Sequence, residues 1–232
     1  MALYALSDTH LSLAVHKPMD IFGNRWKDHD QRLKYFWEQK ITEEDTIVLP
    51  GDLSWGMTMG EALPDLKYLA SLPGKKIIGK GNHDYWWGTA SKIEQAFAEH
   101  GIDNMHLLYN NAYECGNYAL CGSRGWFTEN ANPSGADHKK IVLREAGRLE
   151  RSLQAGAMLE KEELLVFLHF PPVMNDFVCR EILEVLHKYN VRRCFYGHMH
   201  GQYTIPRRFL FEDIEFIIIA ADHLQFDPLL IE

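Results

Sequence analysis

Five times in this 232-residue chain a short apolar run stops at a turn or strand end that carries Asp, Asn or His. Leu3-Tyr4-Ala5-Leu6 leads into Ser7-Asp8-Thr9-His10, and Thr46-Ile47-Val48-Leu49 into Pro50-Gly51-Asp52. Lys76-Ile77-Ile78-Gly79 precedes Gly81-Asn82-His83-Asp84, Leu164-Leu165-Val166-Phe167-Leu168 precedes His169, and Arg193-Cys194-Phe195-Tyr196 precedes Gly197-His198-Met199-His200. Apolar runs of this length bounded by turn residues read as buried strands. In open α/β sheets, ligands gather beyond the carboxyl ends of such strands. The pattern therefore predicts an α/β fold whose strand ends bring polar side chains together. Residues two apart in an extended chain face the same way, so Asp8 with His10, and His198 with His200, can each aim at one point. Gly51, Gly81 and Gly197 let the chain turn sharply beside them.

Between the runs, Leu11 to Gly23 reads as a loop over the strand ends. A helix is expected from a cap at Asn24 to about Lys40, with Trp26, Leu33, Phe36 and Trp37 for its apolar face. Another is expected from Gly60 to Leu72 with Pro64 in its first turn, and a third from Thr89 to His100, stopped by Gly101. Met105 to Arg124 predicts a meander with hairpin turns at Asn110-Asn111 and Gly116-Asn117. Thr128 to Asp137 is expected as a mobile loop, followed by a charged helix from His138 to Lys161 that breaks near Gly156. Phe177 to Tyr189 reads as helix, and the tail, with Phe216-Ile217-Ile218-Ile219, as hairpin material. No repeat, linker or low-complexity tract interrupts the chain, so residues 1–232 are expected to form one domain.

Composition narrows the function classes. At 46% hydrophobic and 24% charged residues the chain can bury a sizeable core. A formal charge of −8 argues against broad nucleic-acid binding, which needs clustered Lys and Arg. Cys115, Cys121, Cys179 and Cys194 show no paired CxxC spacing and are expected to be reduced, with a Cys115–Cys121 bridge as the alternative. No stretch approaches the roughly 18 apolar residues of a membrane span, and the first residues show no basic n-region or cleavage site. A cytoplasmic, soluble protein is the expectation.

Oxygen and imidazole donors without thiolate suit manganese, iron, zinc or similar divalent ions rather than a structural zinc. Seven or eight such donors exceed what one ion needs and suit two ions about 3.5–4 Å apart. In this order and context, Asp8-x-His10, Gly51-Asp52, Gly81-Asn82-His83-Asp84, His169 and Gly197-His198-Met199-His200 resemble the signature of the calcineurin-like metallophosphoesterases, over about residues 8 to 200. The resemblance implies a four-layer α/β/β/α sandwich with a dinuclear metal site. It implies that Asp8, His10 and His200 bind one ion, that Asn82, His169 and His198 bind the other, and that Asp52 bridges both. A hydroxide shared by the ions would attack a phosphate ester in line, with His83 stabilising or protonating the leaving oxygen. The partner would be a small phosphorylated substrate, a monoester or a diester.

The chain departs from the phosphoprotein phosphatases of that superfamily, which carry an Asp-Arg pair shortly after the bridging Asp. Here Trp55 and Gly56 stand there, leaving Asp84 as a candidate to orient His83 and Arg124 as a candidate phosphate clamp. His223 is a further candidate to approach the site. His16, His29, His100, His106, His138 and His187 read as surface or packing histidines. Tyr85-Trp86-Trp87 reads as core or wall rather than a base-stacking platform. Lys139, Lys140, Arg144, Arg148 and Arg151, mixed with Glu145 and Glu150, read as a solvated helix face. The alternatives are a nuclease or nucleotide phosphodiesterase with the same chemistry, a scaffold on this fold with no activity, and a lipid-sugar pyrophosphatase. The acidic balance, the intact donor set and the lack of an apolar membrane-binding helix disfavour them in turn.

Overall fold

The computed structural model describes residues 1–126 and 136–232. In chain order the elements are β1 (Leu3–Ala5), α1 (His29–Lys40), β2 (Thr46–Leu49), α2 (Met59–Ser71), β3 (Lys75–Ile78), α3 (Ala90–Glu99) and β4 (Met105–Leu107). There follow β5 (Tyr113–Cys115), β6 (Tyr118–Ser123), α4 (Ala136–Ala157), β7 (Glu163–Leu168), β8 (Val173–Met174), β9 (Phe177–Val178), α5 (Arg180–Lys188), β10 (Arg193–Tyr196), β11 (Arg208–Phe211), β12 (Ile214–Ile218) and β13 (Leu229–Leu230).

Two mixed sheets result. One has the order β13-β1-β2-β3-β4 and the other β11-β12-β10-β7-β6-β5, with β8 and β9 forming a separate ribbon. The strands β1 to β4 are mutually parallel, as are β6, β7, β10 and β12, while β13, β5 and β11 run antiparallel at the edges. Side-chain alternation divides the second sheet between two cores. Leu120, Leu165, Phe167, Phe195 and Ile217 join the first sheet and α1, α2 and α3 in one apolar cluster. Their neighbours Cys121, Val166, Leu168, Cys194, Tyr196 and Phe216 pack with Leu149 and Leu153 of α4 and Ile182 and Leu186 of α5. The layers are thus helix, sheet, sheet, helix, as the resemblance implied. Each fully buried Leu, Ile or Phe stabilises this arrangement by about 1.5–3 kcal/mol.

Register places the strand ends in rows. Ala5 lies opposite Val48, and Leu49 opposite Ile78. Leu168 lies opposite both Ser123 and Tyr196, and Tyr196 opposite Ile218. Ser7 joins the rows of the two sheets, since its N–H donates to Ile219 (2.8 Å) and its carbonyl accepts from Ala221 N–H (2.9 Å).

Several local expectations are corrected. Asn110-Asn111 is not a hairpin: β4 pairs with β3 in one sheet and β5 with β6 in the other, so the chain crosses between sheets there. Asn111 shapes the crossing, its side chain accepting from Tyr109 N–H (2.7 Å) and donating to the Leu107 carbonyl (3.0 Å). Residues 24–26 form a short 3-10 turn, and α1 begins at His29. Thr58 caps α2, accepting from Glu61 N–H at 3.3 Å, so that helix starts early and Pro64 falls in its second turn. The helix expected from Phe177 begins at Arg180, because Phe177–Val178 pairs with Val173–Met174. The long charged helix ends at Ala157, one residue past Gly156 and short of the expected Lys161; a side chain at Gly156 would strike Cys121 Sγ, so glycine lets α4 lie close to β6. The expected loop from Thr128 to Asp137 lies outside the described residues up to 135, and residues 136–137 belong to α4. All four cysteines are free and buried. Among the described residues no helix is long and apolar enough to cross a membrane.

Candidate metal centre

The donors gather where the two rows of strand ends meet. One ligand atom from each of Asp8, His10, Asp52 and His200 falls within 4.8 Å of all the others. His10 Nε2 and His200 Nε2 are 3.0 Å apart, His200 Nε2 is 3.3 Å from Asp8 Oδ1, and His10 Nε2 is 3.5 Å from Asp52 Oδ2. Next to them, His169 Nε2 lies 2.6 Å from Asn82 Oδ1 and 3.5 Å from the same Asp52 Oδ2. His198 is placed beside this second group, its ring centre 5.3 Å from that of His169, and its N–H donates to Asp8 Oδ2 at 3.0 Å. His83 adjoins the first group, its N–H donating to Asp52 Oδ1 at 2.7 Å and its ring centre 5.6 Å from that of His10.

The backbone is bent to achieve this. Asp8, His10, Asp52 and His198 all have positive φ, at 63°, 44°, 53° and 67°. For residues other than glycine such conformations cost of order 1–3 kcal/mol each, and they cluster at functional sites. Two glycines make room. A Cβ on Gly81 would run into the Asp52 carboxylate, and one on Gly197 into Asp8 and Ser7.

Burial and mutual charge set the protonation states. Burial works to raise the Asp8 carboxyl, but the imidazoles of His200, His169 and His10 overcome it and hold it below the usual carboxylate range. Burial works to lower His200, but the Asp8 and Asp222 carboxylates push it up to about 10. Burial pushes His169 down to about 3 and His198 to about 4, and holds His10 well below its ordinary value with His200 adding to the effect. Asp52 is pushed well above the carboxylate range by burial, then by Asp84 and Asp8. Two features suit cations here. Asp52 Oδ2, buried and without a hydrogen-bond partner among the described residues, faces a histidine nitrogen from each group. Separations of 3.0–3.5 Å are also close to those of adjacent nitrogen and oxygen donors that share one ion at about 2.0–2.1 Å, which lie about 2.8–3.0 Å apart in octahedral and about 3.3–3.4 Å apart in tetrahedral geometry. The residues present therefore fit divalent metal.

The supporting residues differ in part from expectation. Among the described residues Asp84 makes no hydrogen bond to the His83 ring. Its carboxylate accepts N–H bonds from Asp52 and Gly81 (both 2.8 Å), Leu53 (2.9 Å) and the Trp86 indole (3.1 Å), tying the loop after β2 to the loop after β3. Trp55, whose position marked the departure from the phosphatases, packs on His83 (ring centres 4.5 Å apart) and stacks on His10 (4.8 Å). His83 is thus held by its backbone and by rings, and its buried Nδ1 has no hydrogen-bond partner among the described residues. Arg124 turns toward Glu145 of α4, with Nη2 3.7 Å from Oε1. His223 lies beside Tyr203, ring centres 5.3 Å apart, and its backbone N–H donates to Asp222 Oδ1 at 2.9 Å. Trp86 is buried, whereas Tyr85 stays exposed near His83.

One functional residue escaped the sequence reading. Asp222 Oδ1 lies 3.3 Å from His200 Nδ1, while Oδ2 accepts from Gly201 N–H (2.9 Å) and the Tyr203 hydroxyl (3.0 Å). A carboxylate behind an imidazole fixes its orientation and tautomer. The available signal was that Asp222 follows the apolar run Phe216 to Ala221, as the other site residues follow theirs.

The known proteins that this chain resembles agree with the fold. The profile described as calcineurin-like phosphoesterase matches residues 1–202. Two phage proteins, each named Gene 66 protein, are similar over part of the chain. The one from Mycobacterium phage D29 is 37% identical over 79 residues and that from Mycobacterium phage L5 34% over 78, each alignment covering 34% of this chain. The chain spans 38% and 37% of the lengths of these curated relatives. Among solved structures, a Thermus thermophilus protein superposes with a TM-score of 0.59 at 12% identity, covering 95% of this chain and 89% of its own. The phosphopantetheinyl hydrolase of Mycobacterium tuberculosis gives 0.52 at 16% identity, over 94% and 88%. An Aquifex aeolicus protein of unknown function gives 0.53 at 18% identity, over 99% and 95%. At these identities the superpositions speak to fold alone.

Proposed function

We propose a reaction for this chain from the premise that it belongs to the calcineurin-like phosphoesterase family, hydrolases of phosphoric ester bonds that depend on metal. The reading is hydrolysis of a small phosphate monoester or diester at a centre of two divalent ions, of manganese, iron, zinc or a mixture. Asp8, His10 and His200 would hold one ion, Asn82, His169 and His198 the other, and Asp52 both. The observation that carries this is the single buried oxygen Asp52 Oδ2, 3.5 Å from His10 Nε2 on one side and from His169 Nε2 on the other. Such ions, when bound, lower the pKa of water and neutralise phosphoryl charge.

The chain's own residues do the rest. Asp222 keeps His200 aimed at the centre, and Asp84 fixes the loop that carries Asp52. His83, supported on Trp55, manages the proton at the leaving oxygen. Burial holds its imidazole below the ordinary value, and a bound phosphate dianion beside it raises it again. A hollow of about 260 Å³ borders His83 on the His10 and His200 side, walled by Met19, Phe22, Trp26 and Trp55. This supports a leaving group with an apolar or flat portion.

The test is turnover of nitrophenyl phosphate and bis-nitrophenyl phosphate by the Mn²⁺-loaded chain, with and without chelator. Hydrolysis of at least one ester, abolished by chelation and restored by Mn²⁺, is expected. No turnover of either ester with two equivalents of Mn²⁺ bound would overturn the reading.

A further inference from the structure

A second polar pocket opens on the opposite flank of the centre, the side of Asn82 and His169. Its cavity is about 280 Å³ and is lined by Lys80, Arg124, Arg144 and Arg148, with Tyr109 in the wall and Glu145 beneath. Lys80 comes from the end of β3, two residues before Asn82; Arg124 follows β6; the others lie on α4. The face read from sequence as merely solvated therefore has a different character. Arg144 and Arg148, four apart on the helix, turn toward the strand ends, and Glu145 between them is fully buried.

Glu145 organises the cations without neutralising them. Its Oε1 accepts from Arg148 Nη1 at 2.6 Å and lies 3.7 Å from Arg124 Nη2. The other carboxylate oxygen and Arg124 Nε are buried with no hydrogen-bond partner among the described residues. Arg148 is steadied over the Tyr109 ring (5.6 Å) and Arg124 over Phe170 (5.7 Å). Four cationic side chains face one carboxylate in a partly closed space. Burial pushes the Arg124 guanidinium below its ordinary range; Glu145 opposes this, and the repelling Arg148 and Arg144 add to it. An anion in the cavity would relieve that repulsion and take guanidinium N–H bonds in the planar geometry that suits phosphate.

The pocket is tied to the catalytic centre. The Phe170 N–H donates to the Arg124 carbonyl at 2.9 Å, directly beside His169. The Phe170 ring that supports Arg124 also lies 4.6 Å from the His198 ring and 5.0 Å from the His169 ring. One phenyl ring thus separates the guanidinium from two of the candidate ligands. We propose that the cavity between Lys80, Arg124, Arg144 and Arg148 is a second anion subsite, which takes a phosphate group of the substrate other than the one that is cleaved. The proposal rests on the phosphoesterase reading and specifies its substrate class: phosphate esters that carry a second phosphate a short spacer away.

The experiment compares butyl phosphate with the bisphosphates of butanediol, hexanediol and octanediol, measuring phosphate release by the Mn²⁺-loaded full chain. One bisphosphate is expected to exceed butyl phosphate in kcat/KM by about 10- to 100-fold, the value of one or two charge-assisted hydrogen bonds. Arg124→Gln and, on the exposed face of the helix, Arg144→Gln should each cut that preference about fivefold or more. Absence of a preference at every length, or a preference that survives both substitutions, overturns the proposal. Calorimetric titration of inorganic phosphate into the chelated chain separates the other source of anion. Phosphate binding that Arg124→Gln abolishes, without any bisphosphate preference, would show a site for a free anion and overturn the assignment to substrate. If neither nitrophenyl ester is turned over, the reaction assigned above fails by itself. Calorimetry with hexanediol bisphosphate on the chelated chain then decides: binding weakened by Arg124→Gln supports the pocket, and binding that is absent or unaltered refutes it.

Discussion

Replacing Asp84 by Asn separates a positioning role from a catalytic one. The carboxylate is buried, and each oxygen serves two close donors: Oδ2 the N–H groups of Asp52 and Gly81, Oδ1 those of Leu53 and the Trp86 indole. An amide in either orientation turns an NH₂ toward two of them. Each buried donor left without an acceptor costs about 1–3 kcal/mol, and relief of the buried charge offsets a part, so Asp84→Asn should destabilise the fold by about 2–4 kcal/mol. Because Asp52 N–H is among the donors and Asp52 faces both donor groups, Mn²⁺ affinity should fall as well. The assay is urea unfolding of the chelated proteins at pH 7, followed by Mn²⁺ titration of each. A stability change below about 0.5 kcal/mol with unaltered Mn²⁺ affinity would rule out this positioning role for Asp84. If in addition turnover fell most for poor leaving groups, Asp84 would act through His83 after all.

Three further substitutions test separate parts of the molecule. His83→Ala should keep both ions and lose about 10²–10⁴-fold in turnover of an alkyl phosphate. It should lose less on nitrophenyl phosphate, whose phenolate leaves unaided; equal losses together with lost metal would place His83 among the ligands. Asp222→Asn should weaken Mn²⁺ binding about 10- to 100-fold by releasing His200, and an unchanged titration curve contradicts that role. Lys76 is fully buried, its ammonium donating to the carbonyls of Leu72 and, at 3.4 Å, Ala70 at the end of α2, and burial pushes its pKa down to about 8. The folded value lies below the unfolded one near 10.4, so a penalty of about 3 kcal/mol is fully present below pH 8 and is relieved as pH rises toward 10.5. The stability of wild type relative to Lys76→Met should climb over that window, and a flat difference would contradict it.

The legible parts of the chain were those where one physical rule acts alone. Buried parallel strands such as Thr46–Leu49 and Arg193–Tyr196 are apolar on both faces and stop at Gly or Pro, so their bounds and the residues after them stood out. The turn at Asn110-Asn111 misled because asparagine pairs serve hairpins and sheet crossings alike, and only the partner of β4 decides between them. Asp84 stood beside the right residues, but its geometry sends both oxygens to backbone N–H groups. Glu145 looked like one more charge on a solvated helix; it is buried, and Arg124, brought up from a distant strand end, approaches it. Asp222 likewise acquires its role only where β12 meets the loop after β10.

If two ions share Asp52, metal content and activity depend on it together, and a stoichiometric titration reads both. Metal-free protein is titrated with Mn²⁺ while bound metal per chain and nitrophenyl phosphate turnover are recorded together, for wild type and for Asp52→Ala. Wild-type activity is expected to saturate at two equivalents per chain, and Asp52→Ala to lose both tight metal binding and activity. Saturation at one equivalent, full activity in excess chelator with no metal by elemental analysis, or an Asp52→Ala chain that still binds two ions tightly would contradict a centre of two ions sharing Asp52.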